Sequence, residues 1–510
     1  MASASRRSRS VCWQPMCGGC RNHRAVPRRP DPMPTPATPG PGDAVQVIRL
    51  YRSEDKIHPR AVDGLYARWR WLIVALTQAV FYGLPWLPWG ERQAVLFDLG
   101  ARRFYVFGLV LYPQDFVYLT ALLMISAYAL FLFTAVAGRL WCGYACPQTV
   151  YTEIFMRVEH WFEGDRNARL RLDKAPWSFD KLWRKAGKQA VWIAIGLWTG
   201  FTFVGYFTPI HSLGREVMAL GLGPWESFWV LFYGFATYGN AGYMREQVCK
   251  YMCPYARFQS AMFDRDTLIV SYDPGRGEPR GNNAKRGRKG EASGHALGDC
   301  IDCGLCVQVC PTGIDIRHGL QYECIGCAAC IDVCNGVMDK MGTPRGLIRY
   351  DTENGLEQGL SPAQRWRRLW RPRVVIYTAV LLVIGAALLW SLASRQGFRV
   401  DVVRDRASLA RLVEDGWVEN VYRLQVMNAT EAPQRYHVEV EGLPGLVLSR
   451  PTTVALGPAE ARWVAVALRM PPEAAQQLQP GAHPMRWRIE RVGEDQAASL
   501  VEKSTFVLPR

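Results

Sequence analysis

Eight cysteines in two runs constrain this chain more than anything else in it. Cys300, Cys303, Cys306 and Cys310-Pro311 follow the spacing C-x-x-C-x-x-C-x-x-x-C-P, and Cys324, Cys327, Cys330 and Cys334 repeat it with Asn335 in place of the proline. Three thiolates two residues apart wrap one iron–sulfur cubane, while the fourth, on the turn that follows, reaches the other cluster. The spacing therefore predicts a bacterial-type ferredoxin carrying two [4Fe–4S] clusters. Cys300, Cys303, Cys306 and Cys334 would hold the first, and Cys324, Cys327, Cys330 and Cys310 the second. Two zinc sites or chance are the competing readings, and neither accounts for eight cysteines at these offsets.

All 15 cysteines lie within the first 334 of the 510 residues. Tight C-x-x-C groups in a long chain indicate metal ligation in a reducing compartment, not the disulfide framework of a small secreted domain. Residues 1–60, rich in Arg and Pro, read as a disordered cytoplasmic tail without a signal peptide. Cys12, Cys17 and Cys20 there have no second pair at zinc spacing and read as incidental thiols; a start at Met33 would delete them.

The net charge of +16 and a near-neutral mean hydropathy conceal a segregation of long apolar blocks from basic stretches. A helix crossing the hydrocarbon core needs about 20 apolar residues. Five segments qualify: Trp69–Trp89, Asp115–Ala137, Gln189–Ile210, Trp225–Tyr243 and Val374–Leu392. Arg and Lys flank these blocks, which fits the positive-inside rule better than a nucleic-acid face. The 2–3 loop carries Arg157, Arg166, Arg169, Arg171, Lys174, Lys181, Arg184 and Lys185, whereas the 3–4 loop has only Arg215. Arg365, Arg367, Arg368, Arg371 and Arg373 precede the fifth segment. That asymmetry puts the N-terminus, the 2–3 loop and the ferredoxin module inside, and everything after the fifth helix outside, in the periplasm of a Gram-negative cell. Arg92, Arg102 and Arg103 in the 1–2 loop are a mild exception.

Beyond the fifth segment the pattern changes to period two. Tyr422, Leu424 and Val426 alternate with polar residues, as do Tyr436, Val438 and Val440, then Val464, Val466 and Leu468, then Met485, Trp487 and Ile489. Short alternating runs between Pro and Gly turns predict an antiparallel sandwich of immunoglobulin type. Asn428-Ala-Thr430 matches a glycosylation sequon, a weak signal here.

The predicted fold class is thus an α-helical membrane bundle of about five helices, an inserted 2[4Fe–4S] ferredoxin domain and a C-terminal all-β immunoglobulin-like domain. The expected boundaries are a tail at 1–60, a four-helix membrane region at 61–260, a basic linker at 261–290, the ferredoxin at 291–345, a linker at 346–373, the fifth helix at 374–393 and the β domain at 394–510. In the basic linker Arg276, Arg280, Lys285, Arg286, Arg288 and Lys289 read as a tether near anionic lipid, with a docking face for an acidic redox partner as the alternative.

A second duplication is less expected. Cys142-Gly-Tyr-Ala-Cys146-Pro147 follows the second apolar segment, and Cys249-Lys-Tyr-Met-Cys253-Pro254 follows the fourth. Both read C-x-Y-x-C-P and both arrive at the inner membrane face. If the backbone is helical there, the i,i+4 offset puts each pair on one side of its helix, with the prolines stopping or bending it. Two such pairs at equal depth can converge into a four-thiolate site. Buried structural thiols are the bland alternative, which a repeated six-residue pattern at matching positions disfavours. Soft thiolates suit Cu(I), zinc or another iron–sulfur centre. Met252 offers a thioether, although a lone Met usually packs. No histidine pair suits a b-type haem, His211 stands alone, and no G-x-G-x-x-G or Walker loop occurs.

Together these residues resemble the CcoG/FixG/RdxA family, accessory proteins for assembly of cbb-type cytochrome oxidase. The likeness rests on Trp141–Pro147, its copy Val248–Pro254, the double ferredoxin run and Gly346-Leu-Ile-Arg-Tyr350, and covers roughly residues 45–510. It implies reduction of Cu(II) to Cu(I) for delivery to the oxidase, with Cys142, Cys146, Cys249 and Cys253 as the copper or redox site. It also implies membrane lipid and oxidase subunits or copper-handling proteins as partners. Spacing and composition alone give only a membrane electron-transfer protein with no nucleic-acid partner. They leave open a quinol-oxidising subunit feeding a reductase, a non-enzymatic redox sensor, the electron donor and a homo-oligomeric state.

Overall fold

The computed structural model describes residues 56–281, 297–405, 409–493 and 499–509. Cys12, Cys17, Cys20 and Met33, and Lys285, Arg286, Arg288 and Lys289 of the basic linker, lie outside the described residues.

Five long helices account for the apolar blocks: α1 (Leu65–Gly83), α2 (Phe116–Ala137), α3 (Phe179–Val204), α4 (Pro224–Gly239) and α5 (Pro372–Ala393). Each starts or ends within a few residues of expectation except α3, which begins ten residues early. There Ser178 caps the helix by accepting the Lys181 N–H, and the first turns carry the charged residues of the 2–3 loop. Among the described residues two stretches, Pro113–Ala137 and Pro372–Ala393, are long and apolar enough to cross a membrane. The other three helices leave Leu72, Leu76, Trp198, Phe232 and Phe235 exposed.

Helices α3 and α4 form a hairpin that touches backbone to backbone. A β-carbon on Gly196 would meet the Gly234 carbonyl oxygen at 2.7 Å, so only a small residue permits this approach. Helix α5 packs along α2, where Tyr118 and Ser391 exchange a 3.1 Å hydrogen bond.

The chain between α1 and α2 forms an antiparallel meander, β1 (Val95–Asp98), β2 (Arg103–Val106) and β3 (Leu109–Leu111). Leu96, Tyr105, Val110 and Tyr112 bury against Met427, Ala429 and Ala459 of the C-terminal domain. Arg92, an exception to the charge rule, donates to the Phe107 carbonyl, pairs with Glu431 and lies 4.2 Å over the Tyr105 ring. Its charge is thus used in packing the meander on the β domain.

The ferredoxin module is framed by β4 (Ile269–Tyr272) paired antiparallel with β5 (Ile348–Asp351) and by the helix Ala329–Met341. It meets the starts of α1 and α5 and the end of α2. Asp332 accepts the Tyr66 and Ala67 N–H groups, capping α1, and Leu268 N–H bonds Val136 O. Arg371, just before α5, pairs with Asp264 and donates to Ala135 O. The opposite ends of α1, α2 and α5 meet the meander and the β domain.

Seven main strands, β6 (Phe398–Arg404), β7 (Val418–Asn428), β8 (Gln434–Glu441), β9 (Thr452–Leu456), β10 (Ala461–Met470), β11 (Gly481–Val492) and β12 (Ser499–Leu508), build the sandwich. One sheet runs β10-β7-β6, edged by Val447–Leu448, and the other β9-β8-β11-β12. The alternating residues point inward as expected: Tyr422, Leu424, Val426, Tyr436, Val438, Leu468, Trp487 and Ile489 are wholly buried. Asn428 is buried too, donating to the Ala432 and Gly457 carbonyls while its oxygen accepts from Thr430 and Tyr436. The sequon match is therefore a corner pin of the sandwich.

Candidate redox site

The ferredoxin cysteines gather into two groups. Cys300, Cys303, Cys306 and Cys334 line one apolar cavity with Tyr272, Leu347 and Ile348. Cys310, Cys324, Cys327 and Cys330 line a second with Val270, Ile316 and Ala328, and Cys306 stands in the wall between them. Cys334 thus lines the cavity of the first run, Cys310 that of the second, and Cys306 lines both. Four thiols amid apolar walls suit a cubane, which needs sulfur ligands and exclusion of water. Cys303 is exposed, whereas Cys300, Cys306 and Cys327 are buried. Burial pushes the Cys306 and Cys327 thiols up to about 11 and those of Cys324 and Cys334 up to about 12. Without metal these sulfurs are neutral, and iron must displace their protons.

The two C-x-Y-x-C-P copies share one backbone device. In the first, a short helix Leu140–Tyr144 ends as the Cys146 N–H bonds the Trp141 carbonyl, five residues back. In the second, a π-turn Val248–Met252 ends as the Cys253 N–H bonds the Val248 carbonyl, again five back. Cys146 and Cys253 are then extended, and Pro147 and Pro254 open the next helices, Pro147–Glu163 and Pro254–Met262. This corrects the expected i,i+4 helical pairs. Each pair spans a tight turn, and each proline sits at a helix start, where its missing N–H costs nothing. At Cys146 the backbone N–H groups of Gln148 and Thr149, at the helix start, oppose part of the burial that raises its thiol.

All four sulfurs lie within electrostatic reach of one another: Cys142 of Cys146 and Cys253, and Cys249 of the other three. Burial pushes Cys142 up to about 11 and Cys249 up to about 12, and it also raises Cys146. Cys142 donates to Gln259 Oε1 at 3.4 Å. Among the described residues no set of three or more Cys, His, Asp or Glu is drawn to metal-binding geometry, the ferredoxin cysteines included. Met252 is exposed. His211 stacks edge-on against Trp86 at the far end of α3, remote from this chemistry.

The two sites are one wall. Cys142 and Cys249 pack with Ile325, Cys327 and Cys330 of the second ferredoxin group. Arg139, three residues before Cys142, donates to the Tyr322 carbonyl, and Arg70 of α1 donates to the Cys327 carbonyl at 3.0 Å. Tyr350, from the Gly346–Tyr350 motif, donates to Gly326 O at 2.6 Å and meets the Tyr144 hydroxyl at 3.4 Å. Arg70 and Tyr350 hold the loop of the second group against the first C-x-Y-x-C-P copy. Sequence reasoning missed Arg70; an arginine inside an apolar helix was the available signal.

Comparison with known proteins agrees. A family described as a 4Fe-4S dicluster domain matches residues 244–353, a 4Fe-4S binding domain matches 119–169, and an IG-like fold at the C-terminal of FixG matches 388–509. The 119–169 match contains Cys142 and Cys146. The chain is 39% identical over 430 residues to the nitrogen fixation protein FixG of Rhizobium meliloti, spanning 78% of this chain and 82% of that one. It is 40% identical over 425 residues to protein RdxB of Cereibacter sphaeroides, spanning 81% and 88%. A FixG-related protein from Vibrio parahaemolyticus of known crystal structure aligns at 24% identity and TM-score 0.19, over 22% of this chain and 97% of that one. Two iron–sulfur cavities, a C-terminal β sandwich and relatives of this identity and span make the chain a member of the CcoG/FixG/RdxA family of iron–sulfur proteins.

Proposed function

We propose that this protein is a multi-pass inner-membrane electron-transfer protein that reduces Cu(II) to Cu(I) for assembly of a cbb-type oxidase. One observation carries the reading: four thiols from two duplicated motifs lie within electrostatic reach of one another, and two of them, Cys142 and Cys249, pack against the loop that holds Cys327. Thiolates prefer Cu(I) to Cu(II), so a four-sulfur site favours the reduced metal. The [4Fe–4S] clusters supply single electrons. Cys142, Cys146, Cys249 and Cys253 receive the metal, with Arg139 at hand to offset thiolate charge.

Five crossings with the ferredoxin inside and the β domain in the periplasm fit how the helix ends sort. The starts of α1 and α5 and the end of α2 meet the ferredoxin module, while their other ends meet the meander and sandwich. The sandwich then offers a periplasmic surface to oxidase subunits or copper-handling proteins.

The test is anaerobic addition of Cu(II) to dithionite-reduced, cluster-loaded protein. Cluster reoxidation with stoichiometric Cu(I), lost in a Cys142/Cys146/Cys249/Cys253→Ser variant, supports the reading. Rapid cluster reduction by a quinol analogue with no response to copper would instead make the protein a quinol-oxidising subunit.

A further inference from the structure

A cavity of about 330 Å³ opens beside the four-thiol site, between α1, the helix Pro147–Glu163 and the loop of the second cysteine group. Cys249 and Cys327 both line it. So do three arginines, Arg70, Arg169 and Arg245, exposed by only 5%, 4% and 6%. Each keeps one nitrogen without a hydrogen-bond partner: Nε of Arg70, Nε of Arg169 and Nη1 of Arg245. A buried guanidinium whose hydrogen bonds are incomplete keeps uncompensated positive charge in the cavity wall.

The acids behind these arginines are shared. Glu159 accepts Arg169 at 2.9 Å and Arg245 at 2.7 Å, with Lys188 at 3.9 Å. Glu153 faces Arg70 at 3.3 Å. Lys188 pairs more closely with Glu163, at 2.8 Å, so one carboxylate answers Arg169 and Arg245, and the buried floor of the cavity sets three guanidiniums against Glu153 and Glu159. Its outer wall is mixed: Asp63, Arg60 and Arg157 are exposed, Asp165 and Glu246 are half-buried, and Asp165 faces Arg60 at 3.9 Å. A cationic floor beside the Cys249 thiol matches a ligand that carries carboxylates at one end and a thiophilic metal at the other. Arg245 is held for this by unusual backbone. It lies at the junction of the π-turn Asn240–Met244 and the turns that carry Cys249, with φ at +31°, a conformation side chains rarely adopt.

We propose that this cavity receives copper as a small carboxylate chelate, the arginines binding the carboxylates and Cys249 meeting the metal. The proposal rests on the copper-reductase reading above and names the form of its substrate. In the step itself Cu(II) gains one electron from the reduced protein and becomes Cu(I), a thiol of the four-cysteine site gives up its proton to solvent as it binds the metal, and the chelator leaves.

The test uses cluster-loaded protein in detergent and two readouts. Copper-free nitrilotriacetate should protect Cys249 from alkylation by N-ethylmaleimide, read by mass spectrometry. Copper reduction should show a KM about tenfold lower for Cu(II)–nitrilotriacetate than for cationic Cu(II)–bis(ethylenediamine), as loss of charge-assisted contacts implies. Arg245→Gln should abolish the protection and remove the KM difference with kcat kept. Thr152→Trp, which puts bulk into the cavity and leaves every arginine in the sequence, should abolish the protection if Arg245→Gln fails to fold. Copper reduction indifferent to chelate charge, with no protection, overturns the cavity proposal and leaves the reductase reading standing. Protection abolished by either variant, in protein that reduces no copper, overturns the reductase reading and keeps the cavity as a carboxylate site.

Discussion

A β-carbon built on Gly143 would stand 2.9 Å from the Cα of Cys327 and 2.8 Å from the Gly326 carbonyl carbon. The middle of the first C-x-Y-x-C-P copy therefore lies backbone to backbone against the loop of the second iron–sulfur group. Contact this close leaves no room for any side chain, so Gly143→Ala must push the two apart. Overpacking of this kind costs about 1–3 kcal/mol. We expect the variant to keep its iron while copper reoxidises its reduced clusters at least tenfold more slowly, a factor worth about 1.4 kcal/mol. Iron analysis and stopped-flow absorbance check this; full-rate reoxidation would show that the contact does not matter to electron transfer.

Asp115, at the start of α2, is wholly buried and binds Arg395 at 2.5 Å and Arg399 at 2.9 Å, both from the chain leaving α5. It also accepts the Tyr112 N–H at 3.1 Å. Removing the acid strands a buried guanidinium, since Arg395 is nearly as enclosed as its partner. Asp115→Ala should destabilise the junction by about 3–5 kcal/mol, as breaking one side of a buried pair does. The measurable result is release of the C-terminal β domain at lower protease concentration. Unchanged proteolysis would mean the meander contacts alone fix the domain.

What could be read in the sequence followed strict periodicity or strict spacing. The β domain was legible because Tyr422, Trp487 and their neighbours alternate at period two on one buried face. The cluster cysteines were legible because a cubane dictates ligand spacing. The turns after Cys142 and Cys249 were not, because i→i+5 bonds leave no periodic trace over five residues. Arg169 looked like one more positive charge of an inner loop, yet it is buried on Glu159. Only tertiary placement distinguishes such a residue from Arg184, which makes an exposed pair with Asp180. The meander between α1 and α2 was also missed, since its strands are only three or four residues long.

The membrane-face thiols carry a pH signature. Cys142 and Cys249 are pushed up to about 11 and about 12 by burial, so both hold protons at neutral pH. A metal must displace those protons, and the raised values mean that competition persists well above pH 7. Apparent Cu(I) affinity should therefore rise with pH, about tenfold per unit for each proton released. Competition with bicinchoninate between pH 6.5 and 8.5, an interval chosen to bracket neutrality, reads the slope. A flat profile would mean that thiols already ionised at neutral pH receive the metal.

Crossed ligation makes its own demand. Cys334 lies close in sequence to Cys330 but lines the cavity of Cys300, Cys303 and Cys306, while Cys310 lines that of Cys324, Cys327 and Cys330. Cys334→Ser should thus alter the same cluster as Cys303→Ser, and Cys310→Ser the same cluster as Cys327→Ser. The two groups are not equivalent, because only the second touches Cys142 and Cys249. Cys310→Ser should therefore impair copper-driven reoxidation more than Cys334→Ser, although each change perturbs one cluster. Low-temperature paramagnetic resonance of the reduced variants assigns the clusters, and the copper reaction ranks them. If Cys334→Ser instead matched Cys327→Ser in its spectrum, the ligand sets drawn from the two cavities would be wrong. If both variants slowed copper equally, the contact between the second group and the four thiols would not govern the reaction.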